Sequence, residues 1–597
     1  MPQKCYIREA ARKRSLKPLA TIKKRNMKLN TLLFTTLILI FSQKAFTQNF
    51  EWVRQFAGAS YGTGEYIESA LDNAGNVYTT GYFEGTMDFD PDTTAVFNLT
   101  SLGGKDIFIS KLDAAGNFIW AKNMGGIEDD KANSITVDDN GNIYTTGSFR
   151  DTVDFDTGSG LFELFSAGSR DIFITKHDAL GNFVWVKQIA GVSGESGESI
   201  TYSNQGNIYL TGSFSGADSV DFDPGAGVYN LIPYAGSQDA FVLKLDTLGD
   251  FIWANQFGNT GSEEGYGITV DATGNVYTSG NFEGTVYFNP GVSADSLTSF
   301  GGRDVFVSKL GASGNFIWAK HFGGSLDDQS FAIKLDNTGN VFTTGYFQET
   351  VDFDLGTSVV SLTSFGIQDI FIAKLDAFGN CLWAKQIGGA DFDIGLSLDI
   401  DASGNVYTAG AFRSTVDFDP GNDSFNFTAL NGFNAFISKL DGAGNFVWAK
   451  QFGGVAGESG AYSVVLDAAE NIYTTGTFGG TIDFNSDTTA VFNLTSNSIA
   501  NVFVHKMGVT TTQLSENYNI HHIRYYPNPT NGQLIIENES KFEDVRVLIY
   551  NSLGQAIFSQ KYPATNHLKL NINGPSGVYF IELYDKSSRT MLRVMKK

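Results

Sequence analysis

Seven tryptophans, Trp52, Trp120, Trp185, Trp253, Trp318, Trp383 and Trp448, stand 68, 65, 68, 65, 65 and 65 residues apart. A unit repeated at that period, filled with short alternating apolar segments, cannot bury both faces of its own small sheet and must stack on copies of itself. The spacing therefore predicts an all-β chain whose larger part is a closed ring of seven small sheets.

With 597 residues, the chain exceeds what one hydrophobic core holds, which leaves room for a smaller body beside the ring. Residues 49–508 carry 20 Lys/Arg against 56 Asp/Glu, a net charge of −36. Such a body repels nucleic acid and anionic lipid and attracts cations. Residues 1–26, with nine Lys/Arg, read as a dispensable basic extension, and residues 27–48 read as a signal peptide. In the latter, Lys28 precedes the apolar run Leu32 to Phe41, too short for a membrane span, and Ala45-Phe46-Thr47 offers a cleavage site. The mature chain is thus expected to have no transmembrane span. Only Cys5 and Cys381 occur, so no internal disulfide is expected after export; Cys381 takes a strand position that other copies fill with Phe.

One unit reads from residue 132 to 187. Ser134 to Asp138 alternates as a strand, Asp139-Asn140-Gly141-Asn142 has hairpin-turn chemistry, and Ile143 to Phe149 is a second strand. Asp171 to Lys176 and Phe183 to Lys187 supply the third and fourth, joined by Asp178-Ala179-Leu180-Gly181-Asn182. After the seventh third-strand copy, ending at Lys506, no Trp-bearing fourth strand follows. The missing copy stands at the front as Phe50-Glu51-Trp52-Val53-Arg54. The first strand is therefore expected to complete the last sheet and remove its exposed edge. The tandem unit GN(V/I)YTTG…VDFDPG…DIFISKLDAxGNFIWAK resembles the bacterial seven-bladed β-propeller (SBBP) repeats over residues 49–508. The resemblance implies a propeller of four-stranded blades but no shared activity. Its Asp-x-x-Gly-Asn-x-x-Trp stretch is similar to the Asp-box turn of sialidase-type propellers, where that loop is structural.

Beyond a Thr-rich linker, residues 509–523, the charge turns positive and alternating segments such as Val545 to Tyr550 suggest a small Ig-like β-sandwich at 524–597. Pro527-Asn528-Pro529 with Gly532, the Leu-Gly-Gln turn at Gly554, the Gly-Val-Tyr strand with Gly577 and Tyr579, and the basic end Lys596-Lys597 resemble the C-terminal sorting domain of type IX secretion in Bacteroidetes. That resemblance implies the type IX machinery as a partner, passage across the outer membrane, and a secreted or surface location.

The recurrent acids are the candidate site. Asp88/Asp90, Asp154/Asp156, Asp221/Asp223, Asp352/Asp354 and Asp417/Asp419 recur as Asp-Phe-Asp, weakened to Tyr287/Asn289 and Asp483/Asn485 in two copies. Residues i and i+2 of an extended segment point the same way, so each pair offers two carboxylates on one side. A second set, Asp130, Glu195, Glu263, Asp328 and Asp393, is expected on the same face. Clustered carboxylates suit calcium; the alternative is that Asp-Phe-Asp-Pro-Gly exits a strand with solvated acids. Lysines recur in every third strand (Lys111, Lys176, Lys244, Lys309, Lys374, Lys439, Lys506) and are expected to pair with acids or cover apolar surface. The histidines show no metal-ligand spacing and no nucleophile-base-acid arrangement, so no catalytic residue is assigned. The expected function is a surface binding or scaffold protein that recognises glycan or protein through the acidic loop face, with the lengthened loop Ser215 to Gly236 as a specificity element. The alternatives are an extracellular polysaccharide lyase or hydrolase and a purely structural surface component.

Overall fold

The computed structural model describes residues 47–58, 67–92, 94–289, 295–354, 359–454, 457–485, 491–510, 523–542, 545–551, 556–584 and 589–597. The basic extension, nearly all of the signal peptide and linker, and Gly554 lie outside the described residues.

The repeated unit folds as its alternation predicts. In the second copy the strands Lys131–Val137, Ile143–Phe149, Asp171–His177 and Phe183–Ile189 form one antiparallel sheet in sequence order, and the other copies repeat this pairing. The last copy takes its fourth strand from the front of the chain. Thr47–Gly58 pairs antiparallel with Asn501–Thr510, with Trp52 opposite Lys506 and Phe56 opposite Val502. That strand also packs on the first copy: Trp52, Phe56, Val502 and Val504 share a core with Val77, Phe83, Phe89 and Phe108. Among the described residues no sheet closes on itself; the four-stranded units meet face to face, their cores shared by neighbouring copies.

Two local devices set how neighbours meet. First strands bulge, as between Ala132 and Ser134, opposite a glycine of the second strand. A Cβ on Gly147 would lie 2.0 Å from the Lys131 carbonyl oxygen, so only glycine lets the bulged backbone approach. The second device is a short hairpin inside the long second-to-third connection, such as Thr86–Asp88 against Asn98–Thr100. It pairs with the end of the preceding copy's fourth strand, Asp88 opposite Ala57 and Asp417 opposite Gly388. The Phe of each Asp-Phe-Asp seats this hairpin. Phe89, Phe155, Phe222, Phe288, Phe353, Phe418 and Phe484 are all buried, each side chain stabilising by about 1.5–3 kcal/mol.

Asp-box turns join neighbours on the opposite side. Asp113 accepts the Ala115 and Asn117 N–H groups at 2.9 and 2.8 Å and the Asn117 side-chain amide at 2.8 Å. Trp52 of the preceding unit donates to the Ala114 carbonyl of that turn at 3.3 Å, and Trp185, Trp253, Trp318 and Trp383 repeat the contact. The recurrent lysines serve the same junction. Lys111 lies 4.6 Å from the Tyr78 ring centre and 3.7 Å from Asp72, while its ammonium reaches Ala179 of the next turn.

At the C-terminal end, Ile523–Tyr526, Gln533–Phe542 and Thr565–Asn571 form one sheet. Arg546–Tyr550, Ala556–Lys561, Gly577–Tyr584 and Arg589–Lys596 form a second. Leu534, Ile536, Val547, Ile549, Leu568, Ile581 and Val594 fill one core of their own.

Candidate functional site

The Asp-Phe-Asp acids are spent on their own loops. Asp88 Oδ1 accepts the N–H groups of Asp90 and Phe97 at 3.0 and 2.8 Å. Asp154, Asp221, Asp352, Asp417 and Asp483 do the same, each holding the second residue on and one further along the hairpin. Asp90, Asp156, Asp223 and Asp419 then cap the following turn through the N–H two residues on. Asp354 takes the same place in its copy: its N–H is held by Asp352 Oδ1 at 3.0 Å, and the charges of both acids help to raise the nearby Cys381 thiol. This capping gives each pair a structural use within its own loop. Among the described residues, no three His, Cys, Asp or Glu side chains gather as metal ligands, so Asp88/Asp90, Asp154/Asp156, Asp221/Asp223, Asp352/Asp354 and Asp417/Asp419 are not brought together with further acids as the calcium expectation requires. The second set of acids is not on the surface: Asp130, Glu195, Glu263, Asp328 and Asp393 are each fully buried. Asp130, Asp328 and Asp393 each accept the N–H of a glycine just after the fourth strand.

What the periodicity left unnoticed is a channel walled by the first strands of all seven copies. It encloses about 340 Å³, and a second space of about 330 Å³ adjoins it, sharing Asp399 and Leu466. Counting back from the turn residue that ends each first strand, the copies differ at the positions that line the channel. Five residues back they read Ile67, Asn133, Glu198, Tyr266, Phe331, Leu396 and Tyr462. Four back, Glu68 replaces Ser, Gly or Ala; two back, Lys334 and Asp399 replace Ala, Thr or Val. All four charged side chains line the channel.

Their electrostatics are coupled. Burial raises the Glu68 pKa, opposed by the Ser134 hydroxyl, the Lys334 charge and the Ile135 N–H. Burial likewise raises that of Asp399, against the Lys334 charge and the N–H groups of Leu466 and Ile400, which it accepts at 2.8 and 3.0 Å. Lys334 thus stands within electrostatic reach of two carboxylates from different copies. Glu198 is raised by burial and by neighbouring Glu264, against a hydrogen bond from Ser196; it also accepts from Asn133 at 3.2 Å. Tyr266 and Phe331 meet edge to face at 5.5 Å. One arc of the lining is therefore aromatic and another polar, a pairing suited to a ligand with both an apolar face and hydrogen-bonding groups. The readable signal was the departure from the repeat, which has meaning only once the channel-facing positions are known.

Other candidates carry no chemistry. Burial lowers the pKa of His177 and His321 to about 4 and that of His505 to about 3, so all three stay neutral in the fold. Cys381 packs half-buried against a core, and burial pushes its thiol up to about 11. Within the lengthened loop, Val228 and Ile232 are exposed, and Tyr229 packs on Phe251 at 4.9 Å.

The tail residues converge. The Asn528 side chain donates to the Arg593 carbonyl at 3.0 Å and accepts the Met595 N–H at 2.8 Å, clasping the Pro527-Asn528-Pro529 segment onto the last strand. Gly577 pairs with Lys596 and Tyr579 with Val594, the Lys596 side chain runs beside Gly532, and the Lys597 N–H reaches the Thr530 carbonyl at 2.9 Å.

A family model for a secretion system C-terminal sorting domain matches residues 524–597, and one for a β-propeller repeat matches residues 119–148. An uncharacterized WD repeat-containing protein of Acanthamoeba polyphaga mimivirus is 25% identical over 487 residues, covering 69% of this chain and 35% of that protein. The regulatory protein FlaEY of Caulobacter vibrioides is 24% identical over 268 residues, covering 44% of this chain and 27% of that protein. The chain thus spans about a third or less of the length of these curated relatives.

Proposed function

We propose that this chain, a β-propeller repeat protein carried by type IX secretion to the cell surface or the extracellular space, is a seven-bladed binding module that takes a glycan or protein ligand at its central channel. The ring occupies residues 49–508 and the Ig-like sorting domain 524–597. The observation that carries the reading is the concentration of Glu68, Glu198, Lys334 and Asp399 in the one cavity that every copy walls. A purely structural ring has no reason to break its repeat there, and a single ligand in a symmetric ring has to.

The test restores the repeat. A variant carrying Glu68→Ser, Lys334→Thr and Asp399→Thr takes residues already accepted at the same positions in other copies. The mature wild-type chain is screened against a panel of bacterial and algal polysaccharides and cell-surface proteins. The variant is expected to unfold like the wild type and to bind its ligand at least about 10-fold more weakly, a loss of about 1.4 kcal/mol. Equal binding by both proteins removes the channel from the reading. Turnover of a polysaccharide by the wild type replaces it with an extracellular lyase or hydrolase, and no binding at all favours a structural surface component.

The Asp-Phe-Asp pairs belong to the scaffold in this reading. Thermal unfolding curves in excess calcium and in chelator are expected to superimpose, because a cation bound tightly to the native state would raise stability by mass action. A calcium-dependent rise in the midpoint would return these pairs to the role of ligands.

A further inference from the structure

The buried acids of the second set each lie within electrostatic reach of a partner acid that the repeat supplies. The third strand opens with Asp106, Asp171, Asp239, Asp304 or Asp369, and the next copy provides Asp130, Glu195, Glu263, Asp328 or Asp393; all ten are fully buried. In three of the five, both members flank one glycine pair. A Cβ on Gly125 would lie 2.2 Å from the Asp106 carboxyl carbon, while the N–H of Gly126 reaches Asp130 at 2.9 Å. Gly323 and Gly324 stand likewise between Asp304 and Asp328, and Gly388 and Gly389 between Asp369 and Asp393.

The surroundings of each pair are hydrogen-bond donors. Asp130, Asp328 and Asp393 each also accept one N–H from the start of the long connection, at Arg150, Gln348 and Arg413. The third-strand acids accept through Oδ2 from a loop N–H (Leu102, Ala167, Phe300 or Phe365). Fourth-strand amides add a second bond to Asp106, Asp171 and Asp369. A cation needs oxygen ligands, and inward-pointing N–H groups repel it. Yet Asp106, Asp171, Asp304 and Asp369 Oδ1 and Glu195 Oε1 are buried without a partner. An acceptor in that state requires a donor, and a proton on the neighbouring carboxyl is one.

The chain holds its own control. In the sixth copy the third strand opens with Asn434, and the following acid is Ser459; in the seventh it opens with Asn501, and the corresponding residue of the first copy is Gly64. Both members are lost together each time. Ser459 takes over the junction as a neutral group, accepting the Ala435 N–H at 2.9 Å and donating to the Phe452 carbonyl at 2.7 Å.

We propose that each of the five acid pairs shares one proton, one carboxyl donating to its partner carboxylate, so that the ring takes up protons as it folds and loosens in alkali. This does not depend on what the channel binds. Burial is the first cause raising every one of these groups, with Asp130, Asp304, Asp328 and Asp393 reaching about 7, Glu195 about 8 and Glu263 about 9. The other charged groups facing the pairs are mostly acids, Asp129, Glu283, Asp327 and Asp391, which push the same way, with Arg170 beside Glu195 opposing. His321, beside Asp304, is held neutral. A group raised in the fold stabilises it fully below the unfolded value and loses that contribution as pH rises through the folded value. Stability is therefore expected to fall from about pH 4, where the unfolded carboxyls titrate, to about pH 7 for the aspartate pairs and to about pH 8 and 9 for those with Glu195 and Glu263, by up to about tenfold in the folding constant per pH unit for each pair that titrates.

The test is urea unfolding of the mature chain across that range, beside a double variant, Asp304→Asn with Asp328→Ser, which copies the Asn434 and Ser459 junction. The variant is expected to show a shallower decline, by up to about tenfold per pH unit between about pH 4 and pH 7. An unchanged slope in the folded variant overturns the proposal, as does a slope that calcium abolishes while raising stability. Should the variant fail to fold, infrared spectroscopy of the intact wild type decides. A protonated-carboxyl carbonyl band at neutral pH, lost in alkali, supports shared protons, and its absence overturns them.

Discussion

A chain lacking residues 49–57 is expected to lose the cooperative unfolding transition of the ring. The deletion removes nearly the whole strand paired with Asn501–Thr510 and leaves that long apolar edge open. It also removes Trp52 and Phe56, buried between the last copy and the first, and Val53, buried between the last copy and the one before it. Arg54 goes as well, with its bonds to the Gly116 and Ala115 carbonyls at 2.8 and 3.1 Å, so that on that side the Lys506 ammonium on the Ala114 carbonyl at 3.2 Å is left to hold the turn. Three buried side chains at about 1.5–3 kcal/mol each already approach the total stability of about 5–15 kcal/mol typical of a folded protein. Circular dichroism melting and limited proteolysis should show a sloping, protease-sensitive chain, whereas an unchanged melting curve would disprove closure by the N-terminal strand. Arg54→Ala alone is expected to cost only about 1–2 kcal/mol, which separates loss of the strand from loss of one contact.

Removal of residues 524–597 is expected to stop export almost completely, with the truncated chain accumulating in the periplasm. The segment matched by the sorting-domain model has a core built only from its own residues, so its loss leaves the ring's cores intact. Cell fractionation with immunoblotting, together with a melting curve of the retained protein, checks both halves of the expectation. Full secretion of the truncated chain would show that the tail is not the export signal. Within the tail, Asn528→Ala breaks both bonds that clasp Pro527-Asn528-Pro529 to the last strand and should reduce export more than a change at the exposed Lys561.

The architecture was legible because it is written in local periods. Strand alternation, hairpin turns and the Trp interval each depend on residues a few positions apart, and the unmatched Trp52 strand named its own destination. The acids were legible as recurrences and misread as to role. Asp88 is explained by Phe97, nine residues away across a hairpin, and Asp130 by Arg150, twenty residues away. Such partners follow from the path of a connection, which carries no period. The channel charges were visible as departures from the repeat, but Glu68, Lys334 and Asp399 come from three different copies and share a cavity only when the ring brings the first strands together.

The sequence by itself determined the four main strands of each copy and their order, the strand that completes the last sheet and the tail that directs export, since each rests on neighbours along the chain or on a recognisable motif, while the short hairpin in each long connection appeared only in the structure. Only the tertiary structure decided which carboxylates are capped, which are paired out of water and which face the channel. Those distinctions are set by how far one sheet is rotated and offset against the next. That geometry arises from side-chain packing between copies, so the same Asp is a turn cap, a proton holder or a channel wall according to what the neighbouring copy places beside it.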